Sequence, residues 1–451
     1  MRLFHCTHCG SLVFFDSTEC LGCGSTLAFD PQRLDMVALQ PVADVPGTWE
    51  LLGSSPSSTD SATDLGNESG NAVAQPPPPP RAPPPRCRAP TGGRRRPGNA
   101  RGAEAPPHYV LCANREAHKA CNFAIPQEAG SDGREEAETP HLCVSCQQTR
   151  VLPDLSDTNN VRRWTAIENA KRRLYYTLAQ MGIAHVEGES GPVYEFKADT
   201  PEAKVLTGHA DGVITLNVAE ADDDERARRR LDLGEPYRTL LGHLRHESGH
   251  YYWDVLVLRG GHAEAFRAVF GDERADYGEA LKAHYASVPH TGWQDDFVSD
   301  YATSHPWEDW AETWAHYLHM VDLLETAQSY RTEVSIPNPH SEPRYAMVNP
   351  FGPPAPDFDA MLTAWVPLTL LLNSLNRSLG QLDAYPFALG TGVREKLRFV
   401  HALVHGQLTP AAVEQSVNDM ANAPSAAPAA APVDGSGMAP PPVQPTETAP
   451  A

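Results

Sequence analysis

Two histidines and a glutamate within residues 246–250 are the residue types of a metal-dependent hydrolytic site. His246 and His250 are spaced i, i+4, so on a helix they lie on one face, one turn apart, and can hold one ion together. Glu247 follows the first histidine, where its carboxylate can take a proton from a water molecule on the metal. Zinc in such a site polarises a scissile carbonyl, and the chemistry that this pattern predicts is hydrolysis of a peptide bond.

The motif needs a helix to position it, and its neighbours predict one over residues 237–257. Four apolar residues surround the motif at helical spacing: Leu240, Leu241, Leu244 and Trp253. Gly249, between the two histidines, leaves room for a close contact with another helix. H-E-x-x-H alone also occurs by chance, and the alternative is a solvent-facing helix with two incidental histidines. The prediction therefore depends on finding a third ligand.

A catalytic zinc site takes a third protein ligand. The metzincin extension of the motif is excluded, because its glycine and last-histidine positions hold Trp253 and Leu256. A second predicted helix instead carries Glu308 and Glu312 at i, i+4. One carboxylate can bind the metal while the other hydrogen-bonds a ligand histidine from behind. Asp309 is a further competitor for the role of ligand.

This pair of helices resembles the gluzincin metallopeptidases, in which a glutamate downstream of H-E-x-x-H is the third ligand. The closest pattern is the lethal-factor type, with a tyrosine seven residues before the ligand glutamate and a second glutamate four residues after it. The resemblance implies that Glu308 is the ligand and that Glu312 supports the site. It also implies that Tyr301 is the phenol that stabilises the oxyanion; the alternative is an ordinary half-buried tyrosine.

A wider resemblance covers residues 1–45 and 108–407. After an N-terminal cysteine module come the segments L-C-A-N (111–114), R-R-W (162–164), G-H-A-D-G (208–212) and G-H-L-R-H-E-S-G-H-Y-Y-W (242–253), and then the Glu308 helix. This order resembles the bacterial zinc-binding metallopeptidase family that has an N-terminal zinc-ribbon domain. The resemblance implies a peptidase with H-E-x-x-H and a downstream E-x-x-A-E. It identifies no substrate and does not cover residues 53–107.

Two sets of four cysteines predict structural zinc sites. The first set consists of two C-x-x-C pairs: Cys6, Cys9, Cys20 and Cys23. Two such pairs can close a tetrahedral shell of thiolates, and so small a module needs its metal to fold. The second set has one C-x-x-C pair: Cys112, Cys121, Cys143 and Cys146. The family resemblance implies one zinc there, with His118 or His141 as alternatives to a thiolate, whereas the isolated Cys87 has no predicted metal role.

Composition divides the chain into five predicted segments. These are a zinc-ribbon module (1–45), a disordered Pro/Arg-rich linker (46–107), a second cysteine module (108–152), a zincin-like metallopeptidase domain (153–408) and a disordered Ala/Pro-rich tail (409–451). Within the domain, residue spacing predicts helices over 157–181, 237–257, 307–324, 360–379 and 393–404, and a strand at 213–217. Many helices with few strands predict an α+β fold that is mostly α.

The bulk composition narrows the function classes. A net charge of −21 argues against a general nucleic-acid binder, which needs a basic face. Close C-x-x-C pairs indicate metal ligands in a reducing compartment. No signal peptide is evident, and the most apolar run, residues 361–372, is expected to be a core helix too short to span a bilayer. We therefore expect a cytoplasmic protein that does not enter a membrane.

The main prediction is peptide hydrolysis by a protein that binds three zinc ions, one catalytic and two structural. Two further functions stay open. A catalytically silent zinc-binding adaptor would recruit protein partners through the ribbons and the tail, and a regulator would bind nucleic acid through the ribbons. A peptide or protein is the expected substrate. Other histidines have uses besides the metal: His243 could support the site or contact substrate, and His209 could shape a turn. Three more histidines could compete as metal ligands, although packing is the more common role of such residues: His305, His316 and His319.

Overall fold

The structure is a computed structural model of the chain. It describes residues 1–43, 45–53, 107–127, 140–185, 191–226, 239–287, 292–337, 339–385, 387, 389–409, 414 and 417–419. Most of the segments predicted as linker and tail, with Cys87, lie outside the described residues. The two predictions of disorder therefore stay predictions.

The described chain contains both strands and helices, with most strands in its N-terminal half. The strands are β1 (Phe4–His5), β2 (Leu12–Val13), β3 (Thr26–Asp30), β4 (Asp35–Pro41), β5 (Thr48–Leu51), β6 (Tyr109–Leu111), β7 (Ala124–Pro126), β8 (Thr149–Val151), β9 (Val193–Lys197), β10 (Gly208–Ala210), β11 (Val213–Asn217), β12 (Glu333–Ser335) and β13 (Arg344–Ala346). The helices are α1 (Ala113–His118), α2 (Val144–Gln147), α3 (Thr158–Gln180), α4 (Leu240–Tyr252), α5 (Ala263–Phe270), α6 (Tyr277–Ala286), α7 (Pro306–Ser329), α8 (Phe358–Ser378) and α9 (Thr391–Val404). A π-helical turn, Trp253–Leu258, extends α4, and 3-10 turns lie at Val218–Ala221, Trp293–Asp295 and Tyr301–Thr303. The mixed helix and strand content that the sequence predicts is confirmed.

The two cysteine modules share one sheet, in the strand order β3-β4-β5-β6-β7. Strand β5 pairs antiparallel with β6, with Thr48 opposite Val110 and Trp49 opposite Tyr109. It lies inside the segment that composition predicts as linker. It forms because Trp49 and Leu51 pack on a small apolar core that includes Tyr109. The chain on either side of residues 54–106 thus belongs to one body.

An aromatic cluster joins this N-terminal sheet to the rest of the molecule. The ring of Tyr176, on α3, lies 6.0 Å from Phe4, 5.8 Å from Phe15 and 6.0 Å from Phe29. Its hydroxyl donates a hydrogen bond of 2.6 Å to Glu325 on α7. One residue of α3 therefore contacts both the cysteine region and a long helix of the C-terminal region.

A second sheet and two long helices frame the C-terminal region. The sheet has the order β10-β11-β9-β8, with β8, β9 and β11 parallel and β10 antiparallel at the edge. Helices α4 and α7 meet at Gly249, where an added Cβ would lie 2.9 Å from the Ala311 Cα and 3.1 Å from a ring atom of Trp314. The indole of Trp310 donates a hydrogen bond of 2.8 Å to the Gly249 carbonyl. Glycine at this position allows the close approach that the sequence predicts.

Helix α8 is longer than the apolar run that marks it in the sequence. Among the described residues it is the one helix long and apolar enough to cross a membrane, judged by length and composition alone, and 39% of its most apolar window is buried. Pro367 lies inside the helix without ending it. The expectation that this segment is too short to span a bilayer is therefore wrong in the length of the helix. The helix continues through polar residues on both sides of the apolar run. Met361 and Trp365 lie in the core.

Candidate metal centre

Helices α4 and α7 bring three metal-ligating side chains to one point. We call His246, His250 and Glu308 the His/Glu set; one ligand atom of each lies within 4.8 Å of the others. The Nε2 of His246 is 3.1 Å from Glu308 Oε2, and the Nε2 of His250 is 3.6 Å from Glu308 Oε1. Two imidazole nitrogens and one carboxylate are a donor set that zinc takes in catalytic sites.

The Glu308 carboxylate is the part of the set that most needs a cation. The residue is 1% exposed, and its Oε2 accepts no hydrogen bond from the described residues. Burial raises the pKa of Glu308, but the two adjacent histidines outweigh burial and hold this pKa well below its usual range. An ionised carboxylate in such a place is costly unless a positive charge accompanies it. The residues present therefore fit a divalent metal.

The local sequence starts α7 at the place that puts Glu308 in its first turn. Pro306 occupies the first helical position, where its missing N–H costs nothing. His305 caps the helix, and its Nδ1 accepts a hydrogen bond of 3.1 Å from the Trp307 backbone N–H. The positive end of the helix dipole favours a carboxylate in this first turn.

Glu312 lies behind His246, one turn further along α7. The Nδ1 of His246 is 2.7 Å from Glu312 Oε1, and Ser299 donates a hydrogen bond of 2.7 Å to Glu312 Oε2. Burial raises the pKa of Glu312, while the hydrogen bond and charge of His246 lower it, to about 2. An ionised partner at Nδ1 fixes the tautomer of His246 and leaves Nε2 free to bind metal.

Asp309, the third carboxylate of this helix turn, faces away from the histidines. It forms a buried ion pair of 2.7 Å with Lys396 on α9. Burial raises the pKa of Asp309 to about 6, although the ammonium of Lys396 opposes this shift. Of the three carboxylates that could compete as ligand, the structure brings Glu308 to both histidines, Glu312 to the back of one, and Asp309 to neither.

Glu247 projects from α4 beside the His/Glu set. It is 5% exposed, and its Oε1 lies 3.0 Å from the Nε2 of His243, one helical turn earlier. Burial raises the pKa of Glu247, but His243 first, and then His246 and His250, bring it below its usual value. The carboxylate is therefore ionised, as a general base must be.

Two tyrosines reach the site. The ring of Tyr301 lies 6.0 Å from the His246 ring, so the structure brings this sequence candidate to the ligands. The hydroxyl of Tyr277, on α6, donates a hydrogen bond of 2.7 Å to Glu308 Oε1, and burial and the Glu308 charge raise the pKa of this phenol. Sequence reasoning missed Tyr277, because no local spacing connects it to either ligand helix.

The His250 ring is positioned by packing, whereas the His246 ring is positioned by a hydrogen bond. Its ring centroid lies 4.0 Å from that of Trp307 and 6.1 Å from that of His209. Its Nδ1 is buried and has no hydrogen-bond partner among the described residues. His209 also accepts a hydrogen bond of 3.2 Å from the Gly212 backbone N–H, which agrees with its predicted role in a turn.

The other candidate histidines have different partners. His305 caps α7, and its Nε2 lies 3.1 Å from the Ala275 carbonyl oxygen. The Nδ1 of His316 is 2.9 Å from the Tyr385 hydroxyl. His319 contacts the guanidinium of Arg245. These contacts place all three outside the His/Glu set.

The cysteines form two clusters, each with four sulfurs within 4.8 Å of one another. The first cysteine cluster comprises Cys6, Cys9, Cys20 and Cys23, and the second cysteine cluster comprises Cys112, Cys121, Cys143 and Cys146. Two members of the first cluster are exposed, whereas the second cluster is wholly buried. His118 packs on Trp164 at 5.3 Å and His141 is exposed, and the four thiols of the second cluster come together without either. Both clusters have the donors of a closed zinc site.

Two family models match parts of this chain. A family model described as "Putative zinc-binding metallo-peptidase" matches residues 160–403, and a zinc-ribbon domain model matches residues 3–71 and 95–157. Proteins of Mycobacterium bovis and of two strains of Mycobacterium tuberculosis, described as uncharacterized, are 34% identical over 408 residues, which is 90% of this chain and 95% of theirs. No solved structure matches the chain. The chain therefore belongs to this zinc-binding metallopeptidase family and carries its zinc-ribbon domain.

Proposed function

We propose that this protein is a gluzincin-like zinc peptidase that hydrolyses peptide bonds of a peptide or protein substrate. The observation that carries the proposal is the three-donor His/Glu set, with the carboxylate of Glu247 next to the ligand His246 on the same helix. His246, His250 and Glu308 would hold one catalytic zinc. The two cysteine clusters would each hold one structural zinc, and eight free thiols in such clusters suit a reducing, cytoplasmic compartment.

The proposed chemistry assigns a task to each residue. When bound, the zinc would polarise the scissile carbonyl and make a water molecule easier to deprotonate. Glu247 takes the proton of that water as its oxygen attacks the carbonyl carbon, and then gives the proton to the departing amine nitrogen as the C–N bond breaks. Tyr301 and Tyr277 present hydroxyls near the ligands, where a donor would stabilise the oxyanion. Glu312 keeps His246 in orientation.

A zincin-like arrangement would also provide a place for the substrate. Strand β10 lies at the edge of its sheet, and its His209 ring is 6.1 Å from the ring of the ligand His250. A free strand edge binds an extended peptide by backbone hydrogen bonds. A peptide paired with β10 would therefore run past the His/Glu set.

The test joins metal analysis with one isosteric substitution. Purified protein is expected to contain three zinc ions per chain, and Glu247→Gln is expected to keep all three while hydrolysis of a peptide library falls about 10²- to 10⁴-fold. The matched control is Glu279→Gln on the exposed face of α6, which should change neither value. Full activity of Glu247→Gln would contradict the mechanism.

A catalytically silent adaptor is the second candidate, and one observation favours it. Three large apolar side chains of the first ribbon are exposed: Leu12 at 49%, Phe14 at 66% and Leu21 at 101%. Leu12 and Phe14 are two residues apart in the chain, and neighbouring exposed apolar groups can mark a protein contact site. The adaptor is the better account if two results are obtained together. The zinc-loaded protein cleaves nothing in a broad peptide library, and a partner protein binds the wild type but not the double variant Phe14→Ser, Leu21→Ser.

A further inference from the structure

We propose that His243 and Glu220 form a positioning pair that holds the general base Glu247 in place. The inference rests on the proposed function, since Glu247 acts as a base only if the site is catalytic. The feature that suggests it is a continuous line of side chains, Glu220–His243–Glu247, that ends beside the His/Glu set. None of the three would be a zinc ligand.

The line is built on helical spacing. His243 and Glu247 are i, i+4 on α4, so their side chains meet on one face of the helix. The Nε2 of His243 is 3.0 Å from Glu247 Oε1, and its Nδ1 is 2.7 Å from Glu220 Oε2. Since His243 also comes three residues before His246, the same face carries the positioning side chain, the base and both ligand histidines.

Glu220 is itself fixed by the sheet. It lies in the 3-10 turn Val218–Ala221 directly after β11 and is 1% exposed. Its Oε1 accepts a hydrogen bond of 2.6 Å from the Thr207 hydroxyl. The turn is capped by Asn217, whose Oδ1 accepts a hydrogen bond of 3.0 Å from the Ala219 backbone N–H. The carboxylate that faces His243 is therefore attached to an ordered element outside α4.

The chemistry of the three groups explains why a histidine stands between two glutamates. An ionised carboxylate only accepts hydrogen bonds, so a ring with a carboxylate at each nitrogen donates from both nitrogens. When both nitrogens carry a proton, the charge of the ring balances the two buried carboxylates, each of which would otherwise be costly to bury. Removing the ring would remove the group that Glu220 and Glu247 both contact.

Holding one oxygen of Glu247 leaves the other to act. With Oε1 engaged by His243, rotation of the carboxylate is restricted, and Oε2 is the oxygen available to a water molecule at the His/Glu set. General-base catalysis depends on such placement to within a fraction of an ångström. Residues that orient catalytic and metal-binding groups in this way contribute about 10- to 100-fold in activity.

The primary variant is His243→Phe, which keeps a planar ring and removes both donors. We expect kcat to fall about 10- to 100-fold with KM within about twofold of wild type and three zinc ions retained. Glu220→Gln keeps an acceptor for the ring but loses the charge, and should lower kcat by a smaller factor. The matched control is His405→Phe, a half-buried histidine after α9, which should leave kcat unchanged.

A readout that does not depend on activity tests the contact itself. In protein labelled with 15N-histidine and loaded with zinc, the imidazole N–H resonances that disappear in His243→Phe are assigned to His243. These resonances should shift in both Glu220→Gln and Glu247→Gln, because each substitution changes an acceptor of the same ring. They should not shift in His405→Phe.

The outcomes separate the inference from the proposed function. If wild type hydrolyses peptides and His243→Phe keeps its kcat, or loses zinc in parallel with activity, His243 does not position the base. If wild type hydrolyses nothing, peptide hydrolysis fails as the function, and the resonances still decide whether His243 contacts Glu247. Unshifted His243 resonances in Glu247→Gln would overturn the inference in either case.

Discussion

The cysteine clusters and the His/Glu set differ in the number of donors and in what surrounds them. Each cysteine cluster brings four sulfurs together, which completes a tetrahedral shell. The His/Glu set offers three donors, and the Glu247 carboxylate and two tyrosines lie close to them. In the function we propose, a reacting group would bind at a fourth position next to this carboxylate and these hydroxyls.

The two kinds of site also differ in what keeps the protein around them folded. The cysteine clusters lie among short elements, such as β1 and β2 with two residues each and the helices α1 and α2 with six and four. The His/Glu set lies between α4 and α7, and these two helices also pack through Gly249, Trp310 and Trp314. We propose that metal at the cysteine clusters serves folding, whereas metal at the His/Glu set would serve chemistry.

The largest expected effect comes from breaking the second cysteine cluster. Cys143→Ser removes one of four wholly buried ligands, so the protein should lose one zinc and its Tm should fall by about 10 °C or more. Zinc analysis and thermal unfolding followed by circular dichroism measure both. Cys87→Ser is the matched control and should change neither. If the Tm of Cys143→Ser is close to that of wild type, metal at the second cysteine cluster does not serve folding, and the proposed difference between the two kinds of site is wrong.

An intermediate effect on the fold is expected from the His/Glu set. Glu308→Gln keeps the size of the side chain and removes its charge, so the third zinc and peptide hydrolysis should both be lost. The fall in Tm should be smaller than that of Cys143→Ser, because α4 and α7 also pack at Gly249, where this carboxylate takes no part. Zinc stoichiometry and the same unfolding measurement decide the point. Retention of three zinc ions would mean that Glu308 is not a ligand.

The smallest effect on zinc binding is expected from Glu312, which contacts the ligand His246 on the side away from the metal. Glu312→Gln can still accept the hydrogen bond from His246 Nδ1 but is neutral, so zinc affinity at the His/Glu set should fall about tenfold. Competition with a chelator of known affinity measures this change, and excess zinc should restore three ions per chain. Complete loss of the third zinc at saturating metal would instead identify Glu312 as the ligand.

The sequence predicts the parts of the site that depend on spacing within one helix. The i, i+4 pairs in α4 and α7 are visible in the sequence, and the helices that carry them are observed close to their predicted bounds. The gluzincin resemblance implied that Glu308, of three nearby carboxylates, is the ligand, and the structure brings that residue to both histidines. Family membership, predicted from motif order, is confirmed.

Features that depend on contacts between distant segments could not be predicted in this way. Tyr277 reaches Glu308 from a separate helix, and Glu220 reaches His243 from a turn after a strand. Neither position has a residue type or spacing that marks it. Strand β5 was missed for a related reason: four residues within a polar segment form a strand because a neighbouring sheet accepts Trp49 and Leu51.

The pairing of β5 with β6 has a consequence for protein engineering. The chain leaves the N-terminal sheet after β5 and returns to the adjacent strand, so residues 54–106 are an insertion between two neighbouring strands of one body. The entropy cost of joining two fixed chain ends rises slowly with the number of residues between them, by about 0.6 kcal/mol for each doubling. This position should therefore accept a fluorescent reporter or a shorter connection, which would allow zinc binding to be followed from inside the ribbon domain.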